Sequence, residues 1–303
     1  MLASIGFLVL MYVVFGVAKP TFFSASNFWT MSQQASILLL VALGATFVVV
    51  MGMIDLSVGS LVTLSAMVLA VVEPTFGSWA VLIAIAAATA VGALNGIVVT
   101  VLRIPSFLVT LGSLSIITGF TLVIGATYVP VANPFVSNLA VSHVLGSVPI
   151  ITLWAVLMTL ALLWIARYTV FGRSVYAIGG GERVSQIVGM PIRRYKIIGF
   201  AMSGLTCGVA GVVLVGLTGA GSPGIGASFL LNAVAAIAVG GTALTGGIGG
   251  PQGTVIGAAI ITVLTAGLVT LQVSEQLQNI VQGLVVIAAV YFTMDRSRNL
   301  INK

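Results

Sequence analysis

Charged and metal-binding residues are scarce in this sequence of 303 residues. It has 11 basic and five acidic residues, one histidine and one cysteine. A zinc site needs several clustered nitrogen or sulfur ligands, a hydrolytic nucleophile needs a neighbouring base, and an internal disulfide needs two cysteines. Because His143 and Cys207 each stand alone, we expect neither a metal site nor an enzyme.

A nucleotide-binding loop is also missing. The pattern G-x-x-x-x-G-K-[ST], whose backbone cradles nucleotide phosphates, occurs nowhere in the sequence. The pattern G-x-G-x-x-G begins at Gly219, but no strand pattern precedes it, so it does not indicate a dinucleotide site. We expect no cofactor on this chain, and any ATP and Mg²⁺ that drive it must lie on a separate subunit.

Apolar residues dominate what is present. They make up 59% of the chain, and the mean hydropathy of +1.25 leaves too little polar surface for a soluble protein. A membrane-spanning helix needs about 20 apolar residues, so the length allows roughly ten of them. We predict an all-α polytopic membrane protein in which residues 1–303 form a single transmembrane domain. The ten predicted spans are residues 2–18, 35–54, 58–72, 78–102, 107–127, 150–166, 197–219, 227–245, 254–272 and 277–293.

The distribution of basic residues orients these spans. Six of the 11 lie in one central segment, residues 167–196, between two apolar runs. Short basic loops stay on the cytoplasmic side, and an even number of spans then places both termini there as well. In this orientation ten basic residues are cytoplasmic, including Arg296, Arg298 and Lys303 in the tail, and only Lys19 lies outside. The longest outer segment, residues 130–149, is either a docking site for a partner or a connector.

The middle of the central segment predicts a short helix. Three glycines precede residues 182–188, and Gly189 and Pro191 supply a stop signal. A helix this short is not stable alone in water. We expect it either in a groove of a partner protein or at the lipid surface, where the neighbouring basic residues would contact anionic headgroups. Its predicted apolar face is Val184, Ile187 and Val188, and its predicted polar contacts are Glu182, Arg183, Ser185 and Gln186.

Two polar, glycine-containing stretches interrupt the apolar runs, at residues 52–60 and 219–228. When spans two to five are compared with spans seven to ten, the two stretches occupy corresponding positions in halves of opposite orientation. Paired interruptions of this kind indicate a transport path between inverted repeats. The candidate path residues are Asp55, Ser57, Gly59, Asn95, Ser222, Gly224 and Asn232.

Asp55 is the acidic residue nearest to the membrane interior. A carboxylate at mid-bilayer costs about 2.5–3.5 kcal/mol on insertion scales, so it needs a partner, water or a task. It either caps the following helix by accepting from the amides of Val58 and Gly59, or it relays a proton or cation. The sequence offers no second buried acid and no basic partner, which favours the cap.

Other small and polar residues within the spans can each serve one of two roles. Amide side chains either bind a polyol or hydrogen-bond neighbouring helices. Small residues four apart allow helices to approach closely, within one subunit or across a dimer interface. The amides are Asn95, Asn232, Asn279 and Gln282, and the glycine pairs are Gly92/Gly96, Gly204/Gly208 and Gly253/Gly257.

Four ordered blocks of this sequence resemble the permease subunits of ribose-type sugar ABC importers. GMIDLSVGSLVTLSA (residues 52–66) is similar to their G-I-D-L-S-V-G-S block, and RIPSFLVTLGSL (103–114) to the segment after their fourth span. AVGGTALTGGIGGPQGTVIGA (238–258) is similar to their glycine-rich L-G-G-T-S-L-x-G-G block. FGRSVYAIGG (171–180), followed by GMPIRRYKI (189–197), resembles the stretch that holds their coupling helix. The chain departs from their G-x-N-x-x-A-A pattern, because GGGERV stands at residues 179–184.

The resemblance implies a type II ABC importer permease with two inverted halves, in the bacterial inner membrane. It implies a second permease copy, a periplasmic sugar-binding protein outside and a cytoplasmic ABC ATPase inside. The coupling helix would transmit ATP-driven motion of the ATPase to the spans. The residues that the resemblance assigns to this coupling are Glu182, Arg183, Val184, Gln186, Ile187, Val188, Gly189 and Met190.

Two other functions compete with this interpretation. One is a secondary transporter in which Asp55 couples transport to protons, which the missing nucleotide loop also allows. The other is a membrane scaffold that transports nothing. The basic cytoplasmic segment favours an ATPase partner over the first, and the paired interruptions argue against the second, since a scaffold does not need broken spans.

Overall fold

The computed structural model describes residues 2–144 and 146–293, and these ranges are mostly helical. The tail residues Arg296, Arg298 and Lys303 lie outside them. One turn of 3-10 helix precedes the second helix at Pro20–Phe23, and another precedes the fourth at Gly77–Trp79. The helices are α1 (Leu2–Ala18), α2 (Ala25–Val50), α3 (Val58–Phe76), α4 (Ala80–Val101), α5 (Ser106–Ile124), α6 (Pro134–Val141), α7 (Ile150–Tyr168), α8 (Val170–Gly180), α9 (Glu182–Ile187), α10 (Ile192–Thr218), α11 (Ala227–Val239), α12 (Pro251–Thr270) and α13 (Glu275–Thr293).

Many of these helices are suited to a bilayer. Six helical segments within the described residues are long and apolar enough to cross a membrane, and one of them, Val58–Val101, contains both α3 and α4. Shorter apolar helices run over Ser4–Ala18, Ala227–Val239 and Gln276–Ala288. Each predicted span overlaps one of the helices, which confirms the prediction of a helical, polytopic membrane protein, but the spans predicted at residues 35–54 and 227–245 extend beyond the ends of α2 and α11.

Two small sheets depart from the all-α prediction. Strand β1 (Val129–Pro130) pairs antiparallel with β4 (Ala220–Gly221), and β2 (His143–Val144) pairs antiparallel with β3 (Val148–Pro149). Each strand has two residues, which is too short to produce an alternating sequence pattern. The first pair joins the chain after α5 to the chain after α10, so it connects the two halves of the sequence.

The segment 130–149 is more than an extended connector, because it contains α6. Asn133 caps this helix, since its side-chain oxygen accepts from the amide of Phe135 at 3.0 Å. Val136 and Ala140 are buried, and both lie against Gly216 of α10. The indole of Trp154 donates to the carbonyl of Leu139 at 3.1 Å. The segment is therefore packed onto the helix bundle at the end where α10 finishes.

The glycine pairs pack helices together within this chain. A Cβ built on Gly204 of α10 would lie 2.4 Å from the carbonyl oxygen of Ala88, and one on Gly92 of α4 would lie 2.4 Å from that of Phe200. Likewise, a Cβ on Gly257 of α12 would overlap the carbonyl of Ala236 in α11. Backbones this close leave no room for side chains, so the three glycine pairs serve the internal packing of α4 with α10 and of α11 with α12.

Helices α2 and α10 run antiparallel through the centre of the bundle. Gly44 of α2 lies against Ser203 and Thr206 of α10, and Met51, at the end of α2, lies against Gly199. The contacts thus move toward the start of α10 as α2 proceeds. The end of α2 and the start of α10 consequently share one end of the bundle, and α10 finishes at the other end.

Candidate translocation path and coupling segment

The chain after α2 turns back into the bundle. Helix α2 ends at Val50, and residues 51–57 lead to α3 without helical structure. Within them the Asp55 carboxylate accepts from the hydroxyl of Ser203 at 2.8 Å, and Ser203 lies beside Gly44. Gly44 is six residues before the end of α2, which is about 9 Å at the rise of an α-helix. Residues 51–57 therefore re-enter the bundle, and α3 begins inside it.

A second segment enters from the opposite end. After α10 finishes, Gly221 lies against Ala66 of α3, and Gly226 lies against Gly59 and Thr63. The chain thus runs along the first half of α3 for about 10 Å, given the helical rise over seven residues. Helix α11 then begins at Ala227, also inside the bundle.

The two re-entrant segments meet where α3 and α11 begin. A Cβ on Gly59 would lie 2.7 Å from the carbonyl oxygen of Gly226, and a Cβ on Gly226 would lie 2.2 Å from that of Gly59. The amide of Gly226 also donates to the hydroxyl of Thr63 at 3.0 Å. We call Gly59, Thr63 and Gly226 the helix crossing. Only glycine fits at its two closest positions without displacing a backbone.

Asp55 is held by three hydrogen bonds. Its Oδ1 accepts from the amide of Ser57 at 2.9 Å and from the Ser57 hydroxyl at 2.6 Å, while Oδ2 accepts from Ser203. The predicted cap was wrong in its donors, since the amides of Val58 and Gly59 do not bond to this carboxylate. An aspartate bonding to the amide two residues on forms a local turn, which shapes the re-entrant segment rather than the helix start.

Asn95 extends this group to α4. Its amide donates to the hydroxyl of Ser57 at 3.1 Å, and both side chains are buried. We call Asp55, Ser57, Asn95 and Ser203 the Asp55 network. It joins the first re-entrant segment to α4 and α10, so it fixes where α3 starts. Ser203 had not been predicted, because a lone hydroxyl in a long apolar helix carries no sequence signal.

The other candidate path residues lie apart from this network. Ser222 and Gly224 occupy the turn before α11, where Gly224 has a φ of +80° and open space around it. Within the described residues they make no hydrogen bond to the Asp55 network. Asn232 of α11 has a buried side-chain oxygen with no hydrogen-bond partner among the described residues. Gly226 was missing from the predicted site, although it lies in the same glycine-containing stretch.

The central segment, predicted as a loop around one helix, contains two helices. Thr169 caps α8 by accepting from the amide of Gly172 at 3.1 Å, and α8 continues to Gly180. Helix α9 follows directly and is closed by Gly189, whose φ is +79°. The short helix predicted at residues 182–188 is therefore confirmed, apart from its last residue.

The apolar face of α9 points away from the protein. The exposed fractions are 66% for Val184, 78% for Ile187 and 72% for Val188. Ser185 was predicted on the polar contact surface, and this was wrong. Its side chain is buried and donates to the carbonyl of Ala177 at 3.0 Å, so it fastens α9 to α8.

Helix α8 ties α9 to the start of the first re-entrant segment. A Cβ on Gly179 would overlap the carbonyl of Val50, the last residue of α2, and the amide of Gly247 donates to that same carbonyl at 2.8 Å. Tyr176 donates to the carbonyl of Gly249 at 2.9 Å. Burial raises the pKa of the Tyr176 phenol, so it stays a neutral donor. Helix α8 therefore contacts both the end of α2 and the loop between α11 and α12.

Comparison with known proteins identifies what this arrangement belongs to. Residues 27–290 match the family described as branched-chain amino acid transport system / permease component. The chain belongs to this family of transport permeases. It is 35% identical to the ribose import permease protein RbsC of Escherichia coli strain K12, over 94% of this chain and 91% of that protein. No solved structure matches the permease.

Further relatives agree with this membership. The permease is 33% identical to the ribose import permease protein RbsC of Haemophilus influenzae, over 93% of this chain and 90% of that protein. It is also 33% identical to the D-allose transport system permease protein AlsC of Escherichia coli strain K12, over 93% and 88% respectively. The chain is thus a multi-pass membrane protein of a bacterial importer family. A permease component is the membrane part of a transporter, which confirms that the chain is not an enzyme.

The Asp55 network yields a prediction about stability. Replacing Asp55 by alanine leaves the Ser57 amide, the Ser57 hydroxyl and the Ser203 hydroxyl without their acceptor. Each buried donor left unpaired costs about 1–3 kcal/mol. We expect Asp55→Ala to lower the melting temperature of the purified permease by roughly 5 °C or more.

Ser115 offers a matched control. It is an exposed serine whose hydroxyl bonds only within its own helix, to the carbonyl of Leu111. Ser115→Ala should leave the melting temperature unchanged. An Asp55→Ala permease that melts with the Ser115→Ala control would show that the network does not hold the re-entrant segment.

Proposed function

We propose that this chain is the permease subunit of an ATP-binding cassette importer for a sugar or a sugar-like solute. The similarity to the ribose and allose permeases over more than nine tenths of the chain carries this proposal. A neutral polyol also suits the polar groups near the helix crossing, which are hydroxyls, amides and one hydrogen-bonded carboxylate.

In this proposal the ten apolar helices span the membrane as two inverted halves of one transmembrane domain, in the manner of type II importers. Helices α6, α8 and α9 then lie outside the bilayer. Both termini face the cytoplasm of a bacterium, and a second copy of the permease completes the transporter. The two re-entrant segments support the inverted arrangement, because they enter from opposite ends of the bundle and each leads into a helix that begins inside it.

The solute would pass the helix crossing. Gly59 is part of this crossing, and the other candidates lie on its two sides. These are Asp55, Ser57 and Asn95 on one side and Ser222, Gly224 and Asn232 on the other. Asn232 contributes a buried oxygen that is free to accept a hydrogen bond from a solute hydroxyl. A periplasmic binding protein would deliver the solute at the end of the bundle where α6 and the β1–β4 pair lie.

The energy would come from a cytoplasmic ABC ATPase that binds ATP and Mg²⁺. Its groove would receive the exposed face of α9, with Val184, Ile187 and Val188 as the buried contact. The remaining coupling residues, Glu182, Arg183, Gln186, Gly189 and Met190, surround that face. Closure of the ATPase pushes α9, and α8 passes the movement to the end of α2, where the first re-entrant segment starts.

A proton-coupled transporter that uses Asp55 is the competing function. The Asp55 carboxylate has three hydrogen bonds from groups of this chain, and the site has no basic partner among the described residues. Such a carboxylate is positioned to hold structure, and proton relay would require breaking those bonds in every cycle. The two re-entrant segments also argue against a scaffold that transports nothing, because a scaffold does not need interrupted helices.

The orientation gives a labelling prediction. In a Cys207→Ala background, a single cysteine at the exposed position Ser137 of α6 should react with an impermeant thiol reagent added to intact cells. A cysteine at the exposed position Gln186 of α9 should react only after the membrane is opened. Labelling of the Gln186 position in intact cells would reverse the orientation.

The solute class is tested by recovering the binding protein. We expect the tagged permease to co-purify with an ABC ATPase and, at low detergent, with a periplasmic binding protein. Mass spectrometry of the small molecule released from that binding protein should identify a monosaccharide or a related polyol. If the released molecule is an amino acid, the chain is still an importer permease, but the proposal that its solute is a sugar is wrong.

A further inference from the structure

A large cavity opens beside α9 on the proposed cytoplasmic side. Its volume is about 1060 Å³, which is at the upper end of the range of small-molecule pockets. Four basic side chains and one acidic side chain line it, together with the start of the first re-entrant segment at residues 52–54. We call it the basic cavity. Its charged residues are Arg103, Arg193, Arg194, Lys196 and Glu182.

Most of this positive charge has no partner in the described chain. Lys196 forms an ion pair with Glu182, at 2.6 Å from Nζ to Oε1. Arg103, Arg193 and Arg194 make no ion pair with any residue in the described ranges 2–144 and 146–293. Three guanidinium groups that share one concave surface raise its potential and attract an anion.

The general bias of cytoplasmic loops toward positive charge does not explain this convergence. That bias determines the side of the membrane on which basic residues lie, and it applies equally to Arg167, Arg173 and Arg183. Those three arginines do not line the cavity. The arginines of the basic cavity come instead from two separate places, the connection between α4 and α5 and the first turn of α10.

The geometry points to a site for a phosphate-bearing anion that enters from the cytoplasm. Guanidinium groups bind phosphate through paired hydrogen bonds, and a neutral sugar gains nothing from them. The volume also leaves room for a phosphate attached to a body the size of a monosaccharide. A phosphorylated form of the carried solute has this chemistry.

The position of the cavity indicates how such an anion would act. Arg103 precedes α5, whose residues Ser106 and Thr110 hydrogen-bond the backbone of Ile54 in the re-entrant segment. Arg193 and Arg194 begin α10, which follows α9. An anion bound to both sides would link the start of α5, which contacts the re-entrant segment, to the start of α10. Entry from the cytoplasm rests on the orientation in the proposed function, whereas anion binding itself does not.

Binding is tested on the full-length permease in nanodiscs of phosphatidylcholine, with glucose 6-phosphate as the probe and glucose as its uncharged control. We expect calorimetry to show saturable binding of glucose 6-phosphate and none of glucose. The double variant Arg193→Gln/Arg194→Gln should weaken binding about tenfold or more, since the charged contacts are lost. The matched variant Arg167→Gln/Arg173→Gln removes the same charge outside the cavity and should bind within about twofold of the wild type.

Two further arms distinguish the source of the phosphate. If it is free in the cytoplasm, nanodiscs of phosphatidylglycerol should bind the probe as well as those of phosphatidylcholine. If it belongs to a lipid headgroup, phosphatidylglycerol should compete, and it should remain bound through purification only when Arg193 and Arg194 are present. The proposed site is wrong if neither the probe nor the anionic lipid binds. It is also wrong if the two double variants bind equally well. These measurements need neither an ATPase nor transport, so they stand if the proposed function fails.

Discussion

The variant Ile187→Asp should insert normally and lose its ATPase. Ile187 is 78% exposed in the permease alone and lies at the centre of the apolar face of α9. In the proposed complex that face is buried, and a carboxylate there would have to lose its water without gaining a partner. Truncating or charging a central contact costs about 2–4 kcal/mol, which weakens the complex roughly 30-fold to 1000-fold. We expect the ATPase to be absent after affinity purification and ATP-driven uptake to be abolished.

The control for this variant is Ile187→Leu, which keeps the size and the apolar character of the face. It should retain the ATPase and most of the uptake. Because Ile187 contacts little in the free permease, both variants should melt within a few degrees of the wild type. If α9 instead lies on lipid, Ile187→Asp keeps its ATPase and transports normally, and the segment has no part in coupling.

A methyl group at the helix crossing should strongly reduce transport while leaving the complex assembled. In Gly226→Ala the new Cβ would lie 2.2 Å from the carbonyl oxygen of Gly59, and in Gly59→Ala 2.7 Å from that of Gly226. Because both neighbours are backbone atoms, α3 and α11 must move apart. Overpacking of this kind costs about 1–3 kcal/mol, so we expect uptake to fall about tenfold or more. The ATPase should co-purify as before, since α9 lies elsewhere.

Two control variants show whether the loss of uptake is specific to the helix crossing or follows from replacing any glycine by alanine. Gly112 of α5 has open space around it, so Gly112→Ala should transport like the wild type. Gly224 also has open space but a φ of +80°, so Gly224→Ala introduces strain in the turn without a clash and should have an intermediate effect. Full uptake in both Gly59→Ala and Gly226→Ala would mean that the crossing is a packing feature away from the path.

The sequence predicts which residues of each re-entrant segment are unusual, but it does not predict that the two segments contact each other. Asp55, Ser57 and Gly59 stand out because polar and small residues are conspicuous in an apolar run. That Gly59 lies against Gly226 depends on how the 166 intervening residues fold, and no local pattern encodes it. The depth of Asp55 in the bundle has the same origin, since it follows from the contact between α2 and α10.

The coupling segment shows a different limit. Helix α8 was not predicted, although Thr169 is a good cap and Val175 and Ile178 form a buried stripe. The sequence predicted the apolar face of α9, but it placed Ser185 on the wrong side of the helix. A six-residue helix has too few positions to define a polar side, and the contact with the carbonyl of Ala177 decides it.

The source of energy tests the central claim most directly. The permease is reconstituted into proteoliposomes with its co-purified ATPase and binding protein, and uptake of labelled solute is measured with ATP supplied on the ATPase side. An ABC importer requires ATP, stops when vanadate traps the ATPase, and continues when an uncoupler dissipates the proton gradient. Uptake that survives vanadate and collapses with the uncoupler would contradict the account and restore Asp55 as a proton-coupling residue.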